Sequence, residues 1–300
     1  MRVDGTVTGI RFALMAVTLF AFQDGISKHL ATTYPVPFFV MIRYWFFAIF
    51  VLVLASRAPG GIVMAARTEM PVVQVVRGLL LAAQIIVIVT AFDLIGLAAT
   101  QAIFALHPLL ATLLVIPVLG EQVGWRRLAA VGMGFIGVLV IIRPGMDVFD
   151  PSALVALAAA VMFAVYGVLT RLANTADGSS GPSFFYTGIA GAVALTFIGP
   201  FFWTPMAWAD IGWLGLLCIT GMSGHYCLIR ALDATEAVKI QPLIYLQMVF
   251  GITIGWAIFG ETVDLWVLVG VAMIIGAGLY AIAREMRGAA AARDRSRSGK

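Results

Sequence analysis

The chain has 300 residues, of which 62% are hydrophobic and 11% are charged, and its mean hydropathy is +1.02. A water-soluble domain carries about 25% charged residues, so this composition excludes a soluble globular protein and predicts one that lies in a lipid bilayer. The formal net charge of +4 does not predict nucleic-acid binding, because the basic residues lie at the ends of apolar stretches rather than in one patch.

Apolar stretches of about 20 residues, each long enough to cross the ~30 Å hydrocarbon core of a membrane, recur along the whole chain. The first half holds five of them, at residues 9–31, 36–55, 72–94, 97–119 and 125–142. The second half holds five more, at residues 151–173, 183–202, 211–231, 237–259 and 264–283. The pattern predicts an all-α membrane protein of ten transmembrane helices, with no room for a separate soluble domain.

The lysines and arginines are distributed unequally between the two sides of the predicted bundle. If the N-terminus is cytoplasmic, sixteen of them lie on the inner side, and only Lys28, Arg43 and Arg143 lie on the outer side or in the outer halves of helices. Cytoplasmic segments of membrane proteins carry the excess of positive charge. We therefore expect both termini in the cytoplasm, with residues 286–300 forming a basic cytoplasmic tail.

The two halves of the sequence carry similar motifs. Gly120-Glu121 follows the fourth apolar stretch, and Gly260-Glu261 follows the ninth. Because a unit of five spans reverses its orientation in the second copy, this similarity predicts an inverted repeat with a binding site near the middle of the membrane. The expected first repeat spans residues 1–146, and the expected second repeat spans residues 147–285.

These motifs resemble the EamA-type transporters of the drug/metabolite transporter superfamily, in which each five-helix repeat ends in a Pro-containing span, a Gly-Glu turn and a Gly-rich helix. His107-Pro108 is similar to the family's fourth span, and Pro35 followed by Arg43 is similar to its second. The chain departs from the pattern where Met248 stands at the position expected for a proline. The resemblance covers nearly the whole chain and implies an exporter of amino acids or other metabolites, most similar to the YddG-type aromatic amino-acid exporters.

Charged side chains at membrane depth are costly and are therefore candidate functional residues. Asp24 and Lys28 lie four residues apart in the first span, one helical turn from each other, so we expect a neutralising pair, with a proton-coupling carboxylate as the alternative. Glu121 and Glu261 are expected to hold a neighbouring helix end or a loop. For Arg43 the sequence leaves two roles open, a structural contact and the binding of a substrate carboxylate.

Uncharged or weakly basic polar residues are spread over the deep parts of both halves. Amide, phenol and imidazole groups suit a flat solute that forms hydrogen bonds, although each group could instead join two helices. The predicted substrate-binding residues, including Arg43, are Gln23, Arg43, Gln84, Gln101, Tyr166, Tyr186, His225, Tyr226 and Tyr245. Trp45 and Trp256 are further candidates for walls of the pocket.

The sequence contains one weak match to a catalytic motif. Gly221-Met222-Ser223-Gly224 matches the G-x-S-G of intramembrane serine proteases, but His225 lies two residues after Ser223 and so points about 200° away on the same helix. The sequence has no metal-ligand spacing and no phosphate-binding loop, so we expect no catalytic residue, no metal and no cofactor. Two alternatives stay open, an intramembrane enzyme acting on lipid-linked substrates and an exporter of drug-like amines.

The sequence thus predicts a multi-pass protein of the bacterial inner membrane that exports small metabolites, chiefly aromatic or other neutral amino acids. We expect alternating access, in which one repeat rocks against the other around a central site. The expected partners are a small-molecule substrate and the lipid bilayer, with no nucleic acid. These features are compatible with a monomer.

Overall fold

The computed structural model describes residues 2–120, 124–143, 150–234 and 237–298, and all regular secondary structure within these ranges is helical. The helices are α1 (Arg2–Ala31), α2 (Val36–Arg57), α3 (Gly61–Ala65), α4 (Pro71–Ile95), α5 (Leu97–Phe104), α6 (His107–Leu119), α7 (Trp125–Ile142), α8 (Ala153–Asp177), α9 (Gly181–Ile198), a 3-10 turn (Gly199–Phe202), α10 (Trp208–Ala234), α11 (Ala237–Phe259) and α12 (Leu265–Ser298). Glu121 lies outside the described residues, so its expected role stays a prediction.

Eight segments of the described chain are long and apolar enough to cross a membrane. They are Val7–Ala31, Val36–Arg57, Pro71–Ile95, Leu97–Leu119, Ala153–Asp177, Gly181–Phe202, Trp208–Leu228 and Leu265–Arg284. Two shorter apolar helices are Leu128–Ile142 within α7 and Leu243–Phe259 within α11. Each of these segments coincides with one of the predicted stretches. The prediction of an all-α membrane protein is confirmed, whereas the count of ten spans stays a prediction.

Local sequence explains where several helices begin and end. Pro71 and Pro182 lie in the first turns of α4 and α9, where the backbone N–H that proline lacks would have no helical partner anyway. Gly120 and Gly178 close α6 and α8 with φ values of 67° and 65°. Only a residue without a side chain adopts this left-handed conformation at little cost.

The helices of the first half pack mainly on helices of the second half. α1 lies along α10 and α11, α8 lies along α4 and α6, and α2 packs on α9. α7 packs on α12 so closely that a Cβ atom on Gly270 would lie 2.5 Å from the carbonyl oxygen of Gly137. The buried core is therefore built by both halves together.

The fourth membrane segment is interrupted near its middle. α5 ends at Phe104 and α6 begins at His107, and the imidazole Nδ1 of His107 lies 2.9 Å from the carbonyl oxygen of Phe104. Pro108 follows in the first turn of α6. Proline cannot donate to the preceding turn, so the helix breaks here and the imidazole compensates for part of the lost backbone bonding.

Candidate functional site

Asp24 in α1 is the centre of a cluster of amide side chains. Its Oδ2 atom accepts a hydrogen bond of 2.7 Å from Nε2 of Gln101 in α5 and one of 3.1 Å from Nε2 of Gln247 in α11. Gln23 is also within reach of the Asp24 carboxylate, and the Oε1 atom of Gln23 is buried without a hydrogen-bond partner among the described residues. Three helices thus bring amide groups to one carboxylate in the interior of the bundle.

The predicted pair of Asp24 and Lys28 is wrong. Nζ of Lys28 lies 2.9 Å from Oε1 of Glu261 and donates a hydrogen bond of 2.8 Å to the carbonyl oxygen of Phe92. Neighbours at i and i+4 on a helix can meet, but in this structure Lys28 has its partners on other helices. Here Glu261 meets Lys28 from the end of α11, which leaves Asp24 to the amides.

Glu261 holds the beginning of α5, and the prediction that it holds a neighbouring helix end is confirmed. Its two carboxylate oxygens accept hydrogen bonds of 2.8 and 2.7 Å from the backbone amides of Leu97 and Ala98. These amides lie in the first turn of a helix, where a negative charge is favoured by the helix dipole. Gly96 makes room for the carboxylate, because a Cβ atom there would lie 2.9 Å from the Glu261 carboxyl carbon.

Arg43 in α2 lines a small interior cavity together with Tyr44 and His225. The cavity measures about 20 Å³, which is room for a single water molecule. Tyr44 is buried, and its hydroxyl group has no hydrogen-bond partner among the described residues. The imidazole of His225 stacks on Phe47 with the ring centres 5.3 Å apart. A Cβ atom on Gly221 would lie 2.6 Å from Oε1 of Gln23 and 3.5 Å from Nε of Arg43, so the Arg43 guanidinium lies near the residue that precedes Asp24 in α1.

A larger cavity adjoins the amide cluster. A pocket of about 20 Å³ is lined by Gln101, His107, Tyr245 and Gln247, and a cavity of about 300 Å³ also contains His107 and Tyr245 in its wall. The two share these side chains as a common wall, and the larger cavity extends from the break between α5 and α6 to Arg171 in α8. The large cavity therefore lies next to the pocket that Gln101 and Gln247 line.

The wall of the large cavity is mostly aliphatic but includes the rings of His107, Phe163 and Tyr245. Phe163 meets the imidazole of His107 edge to face, with ring centres 4.8 Å apart. Tyr245 is 4% exposed, and its hydroxyl group has no hydrogen-bond partner among the described residues. A wall with these groups can contact a planar solute through its rings and bind a polar edge through the phenol.

Tyr166 and Tyr186, both predicted to bind substrate, lie in other surroundings. The ring of Tyr166 lies beneath Arg77 at 5.3 Å, and its hydroxyl oxygen is 3.5 Å from Oγ1 of Thr187. The Tyr186 hydroxyl donates a hydrogen bond of 3.2 Å to the carbonyl oxygen of Ala66. These contacts join helices and a loop.

Four further candidates are outside the hydrogen bonds and cavity walls described above. Gln84 is buried in α4. Tyr226 is 45% exposed, although its neighbour His225 faces the interior. Trp45 and Trp256 are 36% and 64% exposed, and none of the cavities described above contains Tyr226, Trp45 or Trp256 in its wall. The predicted residues that the structure brings together are Gln23, Arg43, Gln101, His225 and Tyr245.

Gln247 and Asp24 are not among the substrate-binding residues predicted from the sequence. Gln247 is the second amide that binds Asp24, and the signal that would have found it is the same that selected Gln101, a glutamine inside an apolar span. Asp24 was expected to pair with Lys28, one turn away, with proton coupling as the alternative. The partner of Lys28 can be assigned only from the structure, because Glu261 is distant from Lys28 in the sequence.

Arg77, one of the sixteen basic residues assigned to the inner side, lies inside the bundle. It is fully buried, and it donates hydrogen bonds to Oε1 of Gln74 at 2.7 Å and to the hydroxyl groups of Thr170 and Thr187 at 3.1 and 2.9 Å. It also donates to the carbonyl oxygen of Ser183. The guanidinium group thereby joins α4, α8 and α9.

No group of three or more His, Cys, Asp or Glu side chains within the described ranges is placed to hold a metal ion. The features present are membrane-length helices, polar groups gathered in the interior, and a large cavity next to the pocket that two of these groups line. A fold and site of this kind define a membrane carrier for small solutes.

The comparison with known proteins agrees with this class and identifies the family. The profile of the EamA-like transporter family matches residues 7–143 and again residues 150–283, so the chain belongs to that family. Family membership makes the chain a multi-pass membrane transporter and supports the expectation that it is not an enzyme.

Several bacterial transporters are similar to this chain over most of its length. The S-adenosylmethionine uptake transporter of Rickettsia prowazekii is 26% identical and covers 94% of each chain. The riboflavin transporter of Brucella anthropi is 27% identical over 82% of this chain and 88% of its own. The pseudopaline exporter CntI of Pseudomonas aeruginosa is 24% identical over 96% of this chain and 100% of its own. These relatives are bacterial, which implies the inner membrane.

A solved crystal structure has a similar fold. It superposes with a TM-score of 0.60 at 21% sequence identity, and the match covers 95% of this chain and 98% of the other. At this identity the likeness concerns the fold alone.

Proposed function

We propose that this chain exports small zwitterionic metabolites, amino acids among them, from the cytoplasm by alternating access. The observation that carries the proposal is an anionic and a cationic side chain in the interior, Asp24 with glutamine amides around its carboxylate and Arg43 beside one of these glutamines, Gln23. An amino acid carries one ammonium and one carboxylate group close together. A site with one anion and one cation is complementary to both.

Each charged residue then has a defined role in binding. Asp24 accepts hydrogen bonds from the substrate ammonium group, which replaces the amide donors that occupy its Oδ2 atom in this structure. Arg43 binds the substrate carboxylate, for which the planar guanidinium group is well shaped. The unpartnered hydroxyl group of Tyr44 is a further donor for that carboxylate.

The side chain of the substrate would lie toward the large cavity. His107, Phe163 and Tyr245 present their rings there, which supports the narrower proposal of an aromatic amino acid, as in the YddG-type exporters. Aliphatic neutral amino acids remain within the proposal, because the binding of the charged groups does not depend on the rings.

We also propose ten transmembrane helices in two inverted repeats, with both termini in the cytoplasm. The pattern of helix contacts supports this arrangement. In the two repeats, α1 corresponds to α8, α4 to α10, and α6 to α11. Accordingly, α1 packs on α10 as α8 packs on α4, and α1 packs on α11 as α8 packs on α6. The two matches to the family profile support it as well. Reporter fusions at both termini test the topology, and a periplasmic C-terminus would contradict it.

The end at which the bundle is closed is compatible with the proposed direction of transport. The large cavity extends toward Arg171, at the end that the charge distribution assigns to the cytoplasm. At the opposite end, Lys28 and Glu261 join α1 to the beginning of α5. A carrier in this state can load from the cytoplasm, as an exporter must.

The test is counterflow into proteoliposomes with labelled aromatic and aliphatic amino acids, organic amines lacking a carboxylate, and riboflavin. We expect exchange of amino acids and none of the simple amines. Exchange of amines with no amino acid would instead support an exporter of drug-like amines. A protein that exchanges no member of the panel would contradict the proposed substrate class.

A second candidate is the uptake of S-adenosylmethionine, which is itself an amino acid with a sulfonium cation and an adenine ring. It is favoured by the similarity to the Rickettsia transporters over 94% of both chains. Labelled S-adenosylmethionine in the same counterflow assay distinguishes the two candidates. Counterflow of S-adenosylmethionine without counterflow of phenylalanine or leucine would support the second candidate, S-adenosylmethionine transport.

A further inference from the structure

A groove on the outside of the bundle lies between α7 and α12, apart from the Asp24 cluster. Its volume is about 360 Å³. Arg126, Trp125 and Tyr280 line one part of it, and the small side chains of Ala130 and Ala277 lie deeper in its wall. The surface that faces the bilayer is therefore not flat here but contains a trough between two helices.

The trough is open and apolar where it runs along the helices. A Cβ atom added to Gly276 would meet no other atom within 4 Å, so there is free space above this glycine. On α7 the wall continues from Arg126 to Met133, a distance of about 10 Å along the helix axis. Free space of this length beside small side chains can accommodate part of an acyl chain.

The end of the trough is basic and aromatic. Arg126 is exposed, and its guanidinium group lies 5.4 Å from the ring centre of Trp125. Arg284 is also exposed and follows Tyr280 by four residues, one turn along α12. Tryptophan and tyrosine are typical of the level of the lipid headgroups, which assigns the two arginines to the same level.

We propose that this groove binds an anionic phospholipid from the surrounding bilayer. The lipid phosphate binds at Arg126 and Arg284, and one acyl chain lies along the trough over Gly276. Basic pockets between transmembrane helices are known to bind anionic headgroups. A second copy of the chain is a poorer occupant, because a twofold interface at this groove would bring the same arginines of both copies together.

The experiment measures how lipids shift the thermal unfolding of the full-length protein, purified in detergent and followed by tryptophan fluorescence. Phosphatidylglycerol should raise the unfolding temperature in a saturable way, and phosphatidylcholine with the same acyl chains should not. Arg126→Gln should weaken the apparent binding of phosphatidylglycerol about fivefold, the effect of one basic residue near a headgroup. Gly276→Leu should abolish the shift by filling the trough.

Matched controls separate the groove from general effects. Gly215→Leu adds the same side chain on α10, where a Cβ atom also meets nothing within 4 Å, and Arg57→Gln removes an exposed arginine at the end of α2. Both controls should keep the full response to phosphatidylglycerol. Equal responses to the two lipids, or an unchanged response in Gly276→Leu and Arg126→Gln, would overturn the proposal. A dimer that Gly276→Leu dissociates would overturn it too, in favour of a second copy.

Discussion

Lys28 and Glu261 form an ion pair of 2.9 Å between the end of α1 and the segment that follows α11. The same carboxylate binds the first amides of α5, and Lys28 also binds the carbonyl oxygen of Phe92 at the end of α4. One pair of side chains therefore connects four helices at one end of the bundle. In a carrier that alternates between two states, the contacts that close one end have to separate when that end opens.

Loss of one partner of this pair should be costly. Glu261→Ala leaves Lys28 and two helix amides without their partner, and we expect a loss of about 3 kcal/mol in the free energy of unfolding. Lys28→Met alone should cost less, because Glu261 keeps its two amides. A double-mutant cycle measured by denaturant unfolding in detergent tests the coupling. Strictly additive losses would show that the two charges do not interact.

Asp24→Asn should leave folding intact and impair the binding of substrates that carry an ammonium group. Asparagine still accepts hydrogen bonds from Gln101 and Gln247, and Lys28 keeps Glu261. The substitution therefore breaks no ion pair among the described residues, although Arg43 loses a nearby counter-charge. The loss of a charge-assisted hydrogen bond corresponds to an affinity lower by about 10- to 100-fold. Binding is measured by competition in proteoliposomes. Gln247→Leu is the control and should have a smaller effect, since it leaves the carboxylate in place. Unchanged affinity in Asp24→Asn would remove Asp24 from the binding site.

Arg77→Gln should destabilise the protein without a selective effect on any substrate. The shorter side chain cannot reach Thr170, Thr187 and Ser183 together, so buried acceptors lose their donor, at a cost of about 1–3 kcal/mol. Arg77→Lys should be only a partial rescue, because an ammonium group lacks the forked geometry of guanidinium. The unfolding temperature and the amount of monodisperse protein are the measurements. A variant of full stability with altered substrate preference would instead assign Arg77 to the transport site.

Asp264 caps α12 and should contribute pH-dependent stability. Its Oδ1 atom accepts a hydrogen bond of 2.8 Å from the Val267 amide, which lowers the pKa of Asp264; burial partly opposes this effect, and the Arg143 guanidinium lowers the pKa further. We expect Asp264→Ala to cost about 1 kcal/mol at neutral pH. Because the folded-state pKa lies below the unfolded value, this contribution is complete above the unfolded pKa. It is lost as the pH falls through the folded pKa.

The measurement is the unfolding temperature of Asp264→Ala and of the original protein from neutral to acidic pH. The difference between them should shrink at the acid end. A difference that is constant over the whole range would mean that the carboxylate charge has no part in the cap.

The membrane helices could be predicted from the sequence because hydropathy is a local property. A run of about 20 apolar residues has to cross the hydrocarbon core as a helix, whatever its neighbours are, since no other structure satisfies its backbone hydrogen bonds there. The predicted stretches accordingly coincide with the helices, and the Gly-Glu motifs correctly indicated the family. The role of Glu261 was also predictable, because a carboxylate after a helix end needs donors.

Only the tertiary structure decided which polar side chains meet. Asp24 and Lys28 are neighbours on one helix, yet each has its partner on another, and those partners lie far along the chain at Gln247 and Glu261. Likewise, Arg77 can be buried because the hydroxyl groups of Thr170 in α8 and Thr187 in α9 accept its hydrogen bonds. A polar group inside a membrane takes whichever partner the packing of helices brings within hydrogen-bond distance. Sequence spacing determines which face of a helix a residue occupies, whereas the pairing of faces depends on how all the helices pack together.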